Sequence, residues 1–229
     1  MSTLFVLTTI AMMMLPAAAS AQAQTNTKRY LLESAEHLRL YNVTAEPATL
    51  QGKKGLKATI KSQTQQYTQG LISIEDLNFT NGVIEAEIAG SLAPEAGAEA
   101  RGFVGIAFRV QEDLKTYDAF YLRPTNGRAD DQERRNHSAQ YTSLPEWPWS
   151  RLRKESPSKY EAYVDLVPGT WTKIKIEVRG AQARLYVHGN DQPALIVNDV
   201  KSGADGHGGV ALWLEPGTVA HFRNLTVAP

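Results

Sequence analysis

The chain has 229 residues, with 24 Lys+Arg against 24 Asp+Glu. Its formal net charge is therefore zero, which argues against nucleic acid or an anionic membrane surface as the main partner. It has no cysteine, which excludes a disulfide framework, thiol chemistry and a lipid-modified cysteine. The five histidines are scattered, without the spacing a zinc site needs.

The chain opens with an apolar run, Leu4 to Leu15, followed by Pro16 and the small-residue series Ala17 to Ala23. The run is too short to span a bilayer, which takes roughly 20 residues. Two small-x-small patterns, Ala19-Ser20-Ala21 and Ala21-Gln22-Ala23, read as alternative cleavage sites. Residues 1–23 are therefore expected to be an export signal cut after Ala21 or Ala23, with no membrane insertion afterwards. Residues 24–229 form one domain of ordinary size.

In Thr25 to His37, the spacing of Leu31, Leu32, Ala35 and Leu38 predicts one short helix. From Leu38 onward, short alternating segments are broken by Gly, Pro, Asn and Asp, the pattern of an antiparallel sandwich or barrel. The predicted strands are Leu38 to Ala45, Thr49 to Gln51, Gly55 to Lys61, Leu71 to Ile74 and Gly82 to Gly90. Gly102 to Val110, Thr116 to Arg123, Ala139 to Ser143, Lys159 to Leu166 and Trp171 to Arg179 follow. Ala183 to His188, Ala194 to Asn198, Gly209 to Leu214 and Val219 to Val227 complete the set. Between them, the loop Ala93 to Ala100 reads as a mobile connection. Pro124 to Ser158 is too long and too rich in side chains for a plain connection.

Two strands before that excursion suggest a hollow. In Gly102 to Val110, alternation assigns Val104, Ile106, Phe108 and Val110 to the core. In Thr116 to Arg123, Phe120 and Leu122 do the same. The opposite face has a low floor of Gly105, Ala107 and Ala119, ringed by Arg109, Tyr117, Tyr121 and Arg123. Small residues walled by rings and guanidinium groups suit a sugar or another small polar ligand.

The segments Gly82 to Ile88, Gly102 to Arg109, Gly169 to Ile176, Ala183 to Gly189 and Val219 to Leu225 resemble concanavalin A-like jelly-roll domains. The closest likeness is to the laminin-G-like branch and to exported bacterial domains related to 3-keto-disaccharide hydrolases. The resemblance implies an all-β fold, a two-sheet antiparallel sandwich in one domain, with carbohydrate on its concave side. It also implies bacterial export to the periplasm or beyond. The triplets at Asn42, Asn78, Asn136 and Asn224 would then be turn residues rather than glycosylated ones.

Several residues are candidates for chemistry. Glu85 and Glu87 share a strand face, but Gly90 stands where glycosidases of this fold carry a third acid, so both are expected to be solvated. In the excursion, His137, Asp130 or Glu133 are the candidates for a catalytic base. Asp130, Asp131 and Asn126 could hold calcium, although Arg128, Arg134 and Arg135 oppose it, and no cofactor is expected. Trp147 and Trp149 either stack on sugar rings, their separation set by Pro148, or staple the excursion to the sandwich. Trp213, His221, Asn126 and Gln140 complete the expected ligand surface. The leading expectation is a monomeric, lectin-like domain holding a glycan under residues 124–158. The alternatives are a hydrolase acting on glycosides or keto-sugars, and a structural module.

Overall fold

A computed structural model of the chain describes residues 27–61 and 69–229. The expected leader, residues 1–23, and its cleavage site lie outside the described residues. No helix among the described residues is long and apolar enough to cross a membrane.

The alternating segments become strands, and all their ladders are antiparallel. The first are β1 (Lys28–Tyr30), β2 (Leu38–Tyr41), β3 (Val43–Leu50), β4 (Lys53–Ile60) and β5 (Gly70–Ile74). Next come β6 (Gly82–Leu92), β7 (Val104–Val110), β8 (Tyr117–Leu122), β9 (Ala139–Leu144) and β10 (Glu161–Ala162). The last are β11 (Thr172–Arg179), β12 (Gln182–Val187), β13 (Leu195–Val197), β14 (Gly209–Leu214) and β15 (Thr218–Ala228). Among the described residues the back sheet runs β13-β12-β11-β6-β15-β4-β3, with β1 also on β15. The front sheet runs β10-β9-β8-β7-β14-β5-β2. Pro47 fits because β3 is an edge strand, where a missing N–H costs no ladder bond.

The core fills the space between the sheets. Leu56, Ile84, Ile88, Ile176 and Phe222 face Ile106, Phe108, Phe120 and Leu212, all fully buried. The outer face of the back sheet is solvated, as β11 shows: Thr172, Ile174, Ile176 and Val178 are buried while Lys173 and Arg179 are exposed. Glu85 and Glu87 lie on this outer face, where Lys173 sits 3.4 Å from Glu85 and Lys53 3.2 Å from Glu87. They are half-buried ion-pair partners on the outer face rather than freely solvated carboxylates.

The secondary structure departs from the sequence reading in four segments. No helix forms over the described part of Thr25 to His37; β1 pairs there with Leu225 to Val227 of β15. Tertiary pairing overrides the weak helical spacing, leaving Leu31 exposed and Leu32 buried at a φ of 61°. The segment Leu38 to Ala45 is two strands, because Asn42 adopts a φ of 55° and passes the chain from the front sheet to the back. Asparagine tolerates that left-handed conformation better than most residues. The reading of Thr49 to Gln51 as a separate strand is corrected, since β3 runs through Leu50. In Lys159 to Leu166 only Glu161 and Ala162 join a ladder. Val164 and Leu166 are nevertheless buried and Tyr163 and Asp165 exposed, so the alternation recorded one-sided burial without a strand.

The excursion is an organised flap. It contains a 3-10 turn (Pro124–Asn126), α1 (Gln132–Asn136), β9 and α2 (Trp149–Glu155). Asp131 caps α1, its carboxylate accepting from the Arg134 backbone N–H at 2.9 Å. Arg128 clasps Asp165 through two hydrogen bonds of 2.7 and 2.9 Å, tying the flap to the segment after β10.

Candidate functional site

The expected hollow on the outer face of the front sheet is filled. Gly105 of β7 lies between Tyr121 of β8 and Trp213 of β14 in the ladder register. The two rings stack above it with centroids 4.6 Å apart. Trp213 Nε1 donates to the Tyr117 hydroxyl at 3.0 Å, bridging β14 to β8 across β7. Ala107, Ala119 and Ala211 are fully buried within the same cluster. The floor is small because aromatic side chains of the sheet itself lie over it. A β-carbon at Gly105 would come within 2.3 Å of the Phe120 carbonyl oxygen. Tyr117, Tyr121 and Trp213 are thus a second core, not a ligand surface, and burial raises the pKa of both tyrosines.

Arg109 is also removed from the site. It has a φ of 54° at an irregularity in the β7–β14 register. The bulge interrupts the alternation, so Val110 packs with the outer aromatic cluster instead of the inner core. The Arg109 guanidinium is buried and fully engaged. It donates to the Thr80 carbonyl at 2.8 and 3.1 Å, to Gly180 at 2.9 Å, to Gly203 at 2.7 Å and to Ser202 Oγ at 2.9 Å. It is a clamp on three loops.

His221 lies on β15, in the other sheet, beside Lys57 and Trp171. Alternation reports a face but not which sheet the face belongs to. Trp147 is a staple, its ring 3.7 Å from the Arg151 guanidinium and 4.5 Å from Lys201 Nζ. Gln140 is buried beneath Arg123, with its amide on the Tyr141 and Tyr160 carbonyls. Asp130 and Glu133 are exposed and do not line the cleft described next. Asp131 is occupied as a cap, and Asn126 turns to Arg134 and the His137 carbonyl, so the three proposed calcium ligands do not converge. Among the described residues no group of three His, Cys, Asp or Glu is placed to hold a metal.

The remaining candidates meet in a cleft of about 540 Å³ beside the filled face. Arg123 and Phe103 lie at its base. Trp149 and Arg153 come from α2, and Asn126, Arg134 and His137 from the turn and α1. The loop from Gly97 to Arg101 and the β14–β15 turn, Glu215 to Gly217, close the other side. Trp149 keeps 40% of its surface exposed.

The electrostatic centre is Arg123, caged by aromatic rings at 5.1 Å (Tyr121), 5.7 Å (Trp149) and 5.9 Å (Phe103). It donates to the Tyr121 hydroxyl at 2.9 Å, Gln140 Oε1 at 3.1 Å and the His137 carbonyl at 2.9 Å. Behind it, Glu161 is buried, 3.4 Å from Arg123 Nη1, and held by Arg153 through Nε and Nη2. His137 Nδ1 lies 2.9 Å from Glu161 Oε2, off the hydrogen-bonding direction. Burial alone would raise the Glu161 pKa, but Arg153, His137 and Arg123 together hold it below the ordinary glutamate value.

Glu215 behaves oppositely. Burial pushes its pKa up to about 7, against the opposing effects of Arg123 and a hydrogen bond from Gln69. Sequence reasoning missed Glu215, Phe103, Arg134, Arg153, Glu161 and the loop from Gly97. The one signal available was Glu215-Pro216-Gly217 directly after a strand, an acid at a turn facing the sheet's end.

No protein-family model matches the chain, and no curated protein matches it. Solved structures do. A carbohydrate-binding module, CBM66 from Bacillus subtilis, superposes with a TM-score of 0.53 at 13% identity, covering 82% of this chain and 96% of that one. Peanut lectin gives 0.52 at 9% identity, covering 90% and 97%. A glycosidic hydrolase gives 0.50 at 10% identity, covering 90% and 97%. The chain shares with them the jelly-roll sandwich fold.

Proposed function

We propose that this is a carbohydrate-binding domain, exported and monomeric, whose ligand occupies the cleft between the flap, the loop from Gly97 and the β14–β15 turn. The observation that carries this reading is Trp149. A half-exposed indole backed by the Arg153 guanidinium at 4.6 Å offers a flat apolar face to a sugar ring. Polar groups on Asn126, Arg134 and His137 stand around it. Lectins and binding modules among the structures of this fold support the reading. Binding of the domain to a broad set of immobilised glycans tests it. At least one glycan should bind, and Trp149→Ala should weaken that binding tenfold or more without lowering thermal stability. Absence of binding to every glycan overturns the proposal.

A second reading, glycoside hydrolysis, draws on Glu161 and Glu215, whose pKa values are shifted in opposite directions around one arginine. Of the two only Glu215 lines the cleft. Glucoside or keto-glucoside turnover abolished by Glu215→Gln would establish it.

A further inference from the structure

The distribution of charge within the cleft bears on which sugar it takes. The whole chain is neutral, yet four guanidinium groups, Arg101, Arg123, Arg134 and Arg153, line this one cavity. Three carboxylates stand near them. Glu161 is buried behind the wall, shared between Arg123 and Arg153. Glu99 is an exposed partner of Arg101 at 3.6 Å. Glu215 alone of the three has no guanidinium partner within ion-pair distance among the described residues, and burial keeps much of it protonated near neutrality.

Positive charge is therefore left over inside the cleft, and its location can be named. Arg134 pairs with no carboxylate among the described residues; its one side-chain bond is a 3.5 Å contact with Asn126 Oδ1. Arg153 commits Nε and Nη2 to Glu161, leaving Nη1 without a hydrogen-bond partner among the described residues. A guanidinium edge is suited to a planar, two-oxygen anion. A neutral glycan would need only the indole and a few donors, and would leave Arg134 unused.

Resting on the proposed glycan role, we infer that the cleft is built for an acidic saccharide, whose ring lies on Trp149 while its anionic group bridges Arg134 and the free edge of Arg153. A uronic acid carboxylate and a sugar sulfate share this chemistry. Calorimetric titration of the domain with matched pairs distinguishes them: oligogalacturonides against their methyl esters, and sulfated against desulfated oligosaccharides. The acidic member of at least one pair should bind tenfold or more tighter at low salt, with the advantage shrinking as sodium chloride is raised. Arg134→Gln should bring the affinity for the acidic form close to that for its neutral counterpart. Equal affinity for acidic and neutral members, or an unchanged ratio in Arg134→Gln, overturns the inference while leaving glycan binding standing. Failure of every saccharide to bind overturns the glycan role itself, and this inference with it.

Discussion

Trp147 and Trp149 sit two residues apart and do different work. Trp147 is held between Arg151 and Lys201 and accepts from Thr142 Oγ1 through its carbonyl, whereas Trp149, beside Arg123 and Arg153, keeps 40% of its surface exposed at the cleft. Trp147→Ala should lower the free energy of unfolding by about 2 kcal/mol, from lost packing and cation–π attraction. Trp149→Ala should change stability little and binding much. Denaturant melts and titrations on both variants give the comparison. Arg109→Met should cost about 3 kcal/mol or more. It leaves the Thr80, Gly180 and Gly203 carbonyls short of donors in a buried setting. The same melt reads that loss, and ligand affinity in whatever fraction stays folded should be unaffected.

Among the elements, β7 and β8 show where sequence reasoning reaches and where it stops. Their pairing, their inner residues Ile106, Phe108 and Phe120, and the small outer row were all legible from alternation. Two things were not. Alternation carries no information about a bulge, so Arg109 and Val110 were assigned to the wrong faces. Nor does a small residue say whether its space is empty or occupied by a neighbouring ring. Gly105 is small because the Phe120 carbonyl and the Tyr121 Cα and Cβ on β8 leave no room for a β-carbon, and the Tyr121 and Trp213 rings stack over it. Gly105→Ala should therefore destabilise the domain by about 1–3 kcal/mol through overpacking, measurable as a lowered denaturant midpoint. The flap presented the converse difficulty: its polar composition marked it as functional. Its short helices α1 and α2, of five and seven residues, carry almost no apolar periodicity: α1 buries no residue and rests on its Asp131 cap, and α2 buries only Leu152.

At the scale of the whole molecule, the half-buried acid at the β14–β15 turn, Glu215, couples folding to pH. In the unfolded chain Glu215 releases its proton near the ordinary 4.5, and in the folded chain near 7. Between those values the native state holds a proton that the unfolded chain has lost. Stability should therefore fall as pH rises from about 4.5 to 7 and level off above. The loss should be on the order of 2 kcal/mol, since the side chain is only partly shielded from water. Glu215→Gln should flatten that slope in melts followed across the range. Asp199 works in the other direction. Burial would raise its pKa, but hydrogen bonds from Tyr160, Lys201 and Lys159 hold it at about 2. Its contribution is complete above its ordinary 3.8 and is lost as pH falls toward 2.

The seam along β15 has a further consequence. One flank of that strand is divided end to end, with Val219 to Phe222 covered by β4 and Leu225 to Val227 covered by the three residues of β1. Detaching so short a cover, by a nick near Leu31 for example, would bare a row of backbone donors and acceptors ready to recruit a strand from another molecule. The three residues of β1 are thus what closes this stretch of the back sheet, on the side of the molecule away from the cleft.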